Sequence, residues 1–272
     1  SEPAADPWVV ERLVATACAA GKQGAPESEA VFLRRALAEP PPPGERSALL
    51  LDLGMAEASV GLAEWPENLQ RAVDSAPNVV AAAEAAMVLG LALSRAQRFA
   101  EAVEVLDRAA SALDSRHSEL ALQLEAAAVV AAMYDPVTAT SVALRRDALR
   151  ERAANDRTAP PELVAAAAHI SVLMNEPAGV GAGLATRALL AGGGAPPGSD
   201  GKPWFSFATW FSEATFTLLW AERYAQVQPL LDASIAQARI TGDSGRLALG
   251  LANRAWLALR RGDLSAAEGD AR

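Results

Sequence analysis

At 272 residues the chain is long enough for one or two domains or one extended array, and its 51% apolar content comes mainly from Ala and Leu, with 5% aromatics. A net charge of −9 excludes the basic footprint that a phosphate backbone demands, so no direct nucleic-acid contact by this segment is expected. The single Cys18 excludes an intrachain disulfide, and no apolar run reaches membrane-spanning length uninterrupted: Val79–Leu93 comes nearest, and Glu84 breaks it. Ala has the best helix propensity and leaves room for close neighbours, while β-branched and aromatic runs are scarce, so the expectation is all-α. With an acidic, proline-bearing start (SEPAADP) in place of a signal peptide, a cytoplasmic location is expected.

Taken in order, Trp8–Ala20 reads as a helix stopped by Gly21, and Pro26-Glu27 opens a second that carries Phe32, Leu33, Ala36 and Leu37. Four prolines, Pro40–Pro43, end it, because proline lacks the N–H a helix needs. Gly44–Gly61 and Pro66–Ala76 form the next pair, with Leu53-Gly54 facing Leu69 and Ala72. Residues 86–113 (AMVLGLALSRAQRFAEAVEVLDRAASAL) are the clearest unit, two apolar helical patterns joined at Gln97-Arg98. Gly90, Ala102 and Ala109 supply small side chains where two antiparallel helices would cross, and Leu89, Leu93 and Leu106 fill around them. This order of small and large anchors resembles a tetratricopeptide repeat.

His117–Tyr134 and Val137–Ala154 follow, split by Asp135-Pro136; then Pro160-Pro161 opens a helix running to about Asn175, and Pro177 opens its partner. Gly179, Gly181 and Gly183 each weaken that partner by about 1 kcal/mol relative to Ala, so a frayed or late start is expected there. Gly192–Pro203 reads as a flexible insertion loop. Trp204–Tyr224 pairs with Ala225–Ile240, and Gly245–Gly262 begins the last pair. The second-helix anchors Leu33, Leu69, Leu106, Ala185, Leu231 and Ala271 are 36, 37, 79, 46 and 40 apart by subtraction, and the step of 79 holds two units. The expected architecture is one array over residues 1–272, a right-handed α–α superhelix of about six to seven tetratricopeptide-like pairs. It is expected to be cut within its last pair, since SAAEGDAR leaves the helix before it half covered.

Residues 8–57, above all FLRRALAEPPPPGER (Phe32–Arg46), and the later run RAWLALRRGDLSAAEGDAR (Arg254–Arg272) resemble the helical-repeat region of large MalT-like, LuxR-type transcriptional regulators. That resemblance implies an upstream ATPase and a downstream helix-turn-helix domain, so ATP and DNA would be ligands of a full-length form. It implies no cofactor in this segment: no G-x-x-x-x-G-K-[ST] occurs, and Ala20-Gly21-Lys22 runs into Gln23.

Chemistry-bearing groups are sparse. His117, His169 and Cys18 lie far apart and offer neither a metal set nor a nucleophile–base pair, so no catalytic or metal site is expected. His169 reads as a satisfied packing histidine and Cys18 as a small buried residue. The aromatics are the informative cluster, eight of fourteen falling between Trp204 and Tyr224. At 100° per residue Trp204, Phe207, Phe211 and Leu218 share one face, and Phe205, Phe216, Trp220 and Tyr224 another. Carrying the repeat register across neighbouring units aligns Met174, Phe216, Trp220, Trp256 and Arg260. In the repeat family those positions line a concave groove, and aromatics and Arg dominate binding energy at interfaces. The strip is therefore either the lining of that groove or core between helices. Two functions are compatible with it. One is a non-catalytic sensor module of a regulator, binding a small-molecule effector or protein partner, with dimerisation possible. The other is a free-standing scaffold that recruits a peptide.

Overall fold

The computed structural model describes residues 6–39, 41–42, 44–193, 209–242 and 244–272. Among the described residues there are fifteen α-helices, one 3-10 turn and no strand. The helices pack in consecutive pairs, which is the all-α repeat architecture the sequence predicts. The chain divides into two compact units, residues 1–124 with 241–243, and residues 125–240 with 244–272.

The first unit is built from α1 (Pro7–Lys22), α2 (Pro26–Ala38), α3 (Arg46–Val60), α4 (Trp65–Asp74), α5 (Val79–Arg95) and α6 (Phe99–Ala112). Starts are fixed locally. Pro sits in the first turn of α1, α2 and α4, and the side chains of Asp6 and Asn78 accept the backbone N–H groups of Trp8 and Ala81. Each helix packs on the next. The crossing points are where the anchors predict them: a Cβ at Gly54 would fall 2.6 Å from Leu69 Cγ, and one at Gly90 would fall 2.6 Å from Leu106 Cγ. Leu69 and Leu106 are fully buried. One buried carboxylate adds a polar tie. Glu57 on α3 accepts from Arg34 Nη2 on α2 and from Asn68 Nδ2 on α4, each at 2.8 Å. Cys18 is exposed, contrary to expectation; Ala17 beside it carries the buried face of α1.

Helix α7 (Ser118–Ala132) leads into the second unit, followed by α8 (Pro136–Ser141), α9 (Ala143–Asn155), α10 (Pro161–Leu173) and α11 (Ala178–Ala191), then α12 (Thr209–Trp220), α13 (Tyr224–Thr241), α14 (Ser244–Arg261) and α15 (Leu264–Ala271). Three sequence expectations change here. The helix expected over 137–154 is two, broken at Val142. The hydroxyls of Thr138, Thr140 and Ser141 bond to the carbonyls of Ala132, Pro136 and Thr138, competing with the backbone ladder. The glycine-bearing helix starts at once, at Ala178. Gly181 is the reason, since a Cβ there would lie 3.1 Å from Thr217 Cγ2 and 3.3 Å from the Ala168 carbonyl, so its absence lets α11 sit close to α10 and α12. Third, the anchors Leu33, Leu69, Leu106, Ala185 and Leu231 are buried, but Ala271 is exposed. The insertion expected at 192–203 lies outside the described residues beyond Gly193, as do Trp204, Phe205 and Phe207.

A turn geometry recurs with the repeat. At Gly24, Gly61, Gln97, Asn175, Glu222 and Gly262 the backbone turns left-handed, with φ between 55° and 81°. After each, the next N–H reaches back five residues to a carbonyl, as in Arg98 N to Leu93 O at 2.9 Å and Glu176 N to Ser171 O at 3.0 Å. This is the Schellman closure of a helix end. The steps between these residues are 37, 36, 78, 47 and 40 by subtraction, which reproduces the anchor spacing within one residue. Helix α7 ends differently: Tyr134 N and Asp135 N bond to Ala131 and Ala132 carbonyls in a tighter turn.

Two glycine substitutions separate close packing from helix propensity. Gly90→Ala forces Leu106 to move and is expected to cost about 1–3 kcal/mol. Gly183→Ala, with no atom within 4 Å of the new Cβ, is expected to stabilise by about 0.5–1 kcal/mol. Urea unfolding of the two variants checks both signs.

Candidate functional site

The aromatic side chains gather where the ends of α7, α10, α12 and α14 come together. Phe216 and Trp220, one turn apart on α12, have ring centroids 5.8 Å apart. Trp256 on α14 packs against both, 5.9 Å from Phe216 and 4.9 Å from Trp220 in a T-shaped arrangement. The far face of the cluster is closed by His169 on α10, whose imidazole stacks on Phe216 at 5.2 Å and an interplanar angle of 11°. Tyr134, in the tight turn after α7, meets the edge of that imidazole, with its hydroxyl 2.6 Å from Nε2. The His169–Phe216 stack and the edge-on contacts of Tyr134 with His169 and of Trp220 with Trp256 are favoured arrangements of aromatic quadrupoles, while Phe216 meets Trp220 and Trp256 at a tilt.

Phe211 and Leu218, on the opposite face of α12, are core, as the helical period requires. Trp210 is buried too, its six-membered ring lying over Gly192 in the space a Cβ would need. Trp220 is different: half of it is exposed. Of the five aligned positions, Phe216, Trp220 and Trp256 form one ring cluster. Met174 caps α10, half-buried, and Arg260 points to solvent, where it pairs with Glu222 and lies 3.4 Å from the Tyr224 hydroxyl. Tyr224, expected on the Phe216 face, is carried away by the left-handed turn at Glu222 and begins α13.

Beside the cluster lies a cavity of about 450 Å³, within the size range of small-ligand sites. Tyr134, Phe216 and Trp220 line it, with Ser171, Asn175 and Glu176 as its polar neighbours. The left-handed turn at Asn175 sets Glu176 in the wall, where its carboxylate pairs with Arg150 on α9. Glu176 Oε2 is buried without a hydrogen-bond partner among the described residues.

Burial controls the charge of this region. It pulls His169 down to about 4, so the imidazole is neutral at physiological pH. His169 Nδ1 is buried without a hydrogen-bond partner among the described residues, so there the histidine expected to be fully satisfied bonds through one nitrogen only. Glu213, one turn before Phe216 and Thr217, is pushed up to about 8, first by burial and then by the charge of Glu162. The Tyr134 phenol is raised by burial, with the Glu213 charge adding to it. Among the described residues no group of three His, Cys, Asp or Glu is placed to hold a metal ion. No helix among them is long and apolar enough to cross a membrane.

Tyr134, His169, Glu176 and Glu213 were not assembled into a site from the sequence. The repeat period held part of the signal, because Tyr134 and His169 stand 35 residues apart, about one repeat. Comparison of the chain with models of known families and with curated proteins finds no match.

The titration shifts give a signed prediction. Between about pH 4.5 and 8 the folded chain keeps a proton on Glu213 that the unfolded chain releases, so this group erodes stability as pH rises through that window. The unfolding free energy of wild type minus that of Glu213→Gln is expected to fall from about pH 5 to pH 8 and to level off above it. Taking the difference cancels Glu29 and Asp52 in the first unit, whose carboxyls burial pushes up to about 7 and 6. On the acid side His169 acts oppositely. The unfolded chain gains its proton near pH 6.5 and the folded one only near 4, so stability drops on acidification through that interval, and less so in His169→Gln.

Proposed function

We propose that this chain is a non-catalytic, ligand-binding helical-repeat module, and that its effector binds at the aromatic cavity formed by α7, α10, α11 and α12. The observation that carries this reading is Trp220: a half-exposed tryptophan at the mouth of an aromatic-walled cavity, in a helix whose Trp210, Phe211, Leu218 and Leu219 are buried. A large aromatic surface left to water costs free energy that a bound ligand recovers, and tryptophans of this kind dominate binding at interfaces.

The setting proposed for the module is the sensor region of a LuxR-type, MalT-like regulator, in the cytoplasm, whose full-length form would bind ATP and DNA. It is supported by the resemblance of residues 8–57 and 254–272 and by the paired-helix architecture. Ligand occupancy would there bias the full protein between inactive and active arrangements. The peptide-scaffold alternative is disfavoured by the local charge. A carboxylate clamp needs available Lys or Arg, and Arg260 is engaged with Glu222 while the cavity wall carries Glu176.

The test is a thermal-shift screen of small molecules against wild type and Trp220→Ala. Ligands of the cavity are expected to raise the wild-type melting temperature and to lose roughly 10–100-fold in affinity in the variant, which should keep its helical circular dichroism. Ligands that bind a natively folded Trp220→Ala chain as well as wild type would show that the effector site is elsewhere. For the regulator setting, a phosphate-binding loop upstream and a helix-turn-helix downstream in the same reading frame are the expected result, and their absence removes it.

A further inference from the structure

We propose that the aromatic cavity selects a small quaternary ammonium solute, a cation wrapped in methyl groups; this rests on the cavity being the effector site. Three observations converge on that chemistry. Tyr134, Phe216 and Trp220 give the cavity three aromatic walls, and ring faces attract a desolvated cation. The one formal charge among the described lining residues is the Glu176 carboxylate, with no Lys, Arg or His in the lining. An anion would meet no positive partner there. The remaining lining is chiefly aliphatic, with Val172, Leu173 and Pro177 among it.

The methyl shell follows from the apolar share of the lining, in which Val172, Leu173, Pro177, Ala178 and Ala221 join the rings. A primary ammonium carries three donors that must each be satisfied when water is stripped away. The side-chain acceptors in the wall are spread among mostly apolar neighbours: the Ser171 hydroxyl, which donates to the Ala167 carbonyl at 3.0 Å and can still accept, the Tyr134 hydroxyl, which lies 2.6 Å from His169 Nε2, the Asn175 side chain and Glu176. A quaternary nitrogen has no donor to satisfy. It needs aromatic contact and a nearby negative charge, and both are present. Arg150 offsets part of the Glu176 charge from α9, but it pairs with one carboxylate oxygen, and Oε2 has no hydrogen-bond partner among the described residues. The neutral His169 behind Phe216 matters as well, because a protonated imidazole stacked on that ring would already occupy it as a cation.

The experiment compares choline with its neutral carbon isostere, in which carbon replaces the quaternary nitrogen, by calorimetry and tryptophan fluorescence at matched ionic strength. Wild type is expected to bind choline about ten-fold or more tightly than the isostere. Trp220→Ala is expected to weaken both, and Glu176→Gln to lower the choline preference while leaving isostere affinity near wild type. Circular dichroism and melting temperature confirm that each variant is folded. Equal affinity for the two probes, lost together in Trp220→Ala, overturns the cationic assignment and leaves the site itself standing. No choline binding overturns the assignment as well. Choline binding that Trp220→Ala leaves intact overturns both the assignment and the site.

Discussion

The contact on which the architecture depends is the close crossing of paired helices over a residue with no side chain. Leu106 occupies the space where a Gly90 Cβ would be, and Leu69 does the same at Gly54. Close approach converts a modest apolar surface into full burial of each leucine, and dense packing is what gives short helix pairs their stability. Gly181, between Thr217 and the Ala168 carbonyl, applies the same rule in the second unit. It holds three helices near enough for side chains on two of them to share a cavity wall. In the same packed layer His169 on α10 stacks on Phe216 of α12 at 5.2 Å.

The left-handed helix ends are a second constraint, and they tie the fold to the site. Gly at such a position is free of strain, whereas Gln97, Asn175 and Glu222 hold it with a Cβ. Two of those three border the candidate site. Asn175 redirects the chain so that Glu176 enters the cavity wall, and Glu222 turns the chain two residues after the exposed Trp220 and binds Arg260. Asn tolerates this conformation better than most residues because its short amide compensates locally. The repeat that lacks the left-handed end is the one that contributes Tyr134, and its tighter turn sets the phenol against His169.

Helix pairs, anchors and the aromatic strip were legible because they follow periodicity, which sequence expresses directly. Leu33, Leu69 and Leu106 recur at nearly constant steps, and Phe216 and Trp256 fall forty apart by subtraction and meet at 5.9 Å. What was not legible depends on competition between local groups or on distance. The break at Val142 needs hydroxyls that find carbonyls rather than solvent. Gly181 looks like a helix breaker until its neighbours are known. Cys18 and Ala17 are adjacent small residues, and a rotation of one position decides which is buried. The charge states of His169 and Glu213 follow from burial, which no residue type announces.

These features also bear on how a bound ligand would act on the array. The cavity wall takes Tyr134 from the end of α7, Glu176 from the turn between α10 and α11, and Trp220 from the end of α12. Repeat arrays derive their stability from contacts between neighbours, so a molecule touching three successive pairs couples units that otherwise communicate only in sequence. Tyr134 and His169 bond at 2.6 Å, with the imidazole buried and the phenol partly exposed, and the imidazole stacks on Phe216. Trp220, with half its surface in water, is held by its ring contacts with Phe216 and Trp256. A ligand in the proposed site would therefore touch α12 directly and reach α14 through the Trp220–Trp256 contact, along the helix packing of the array.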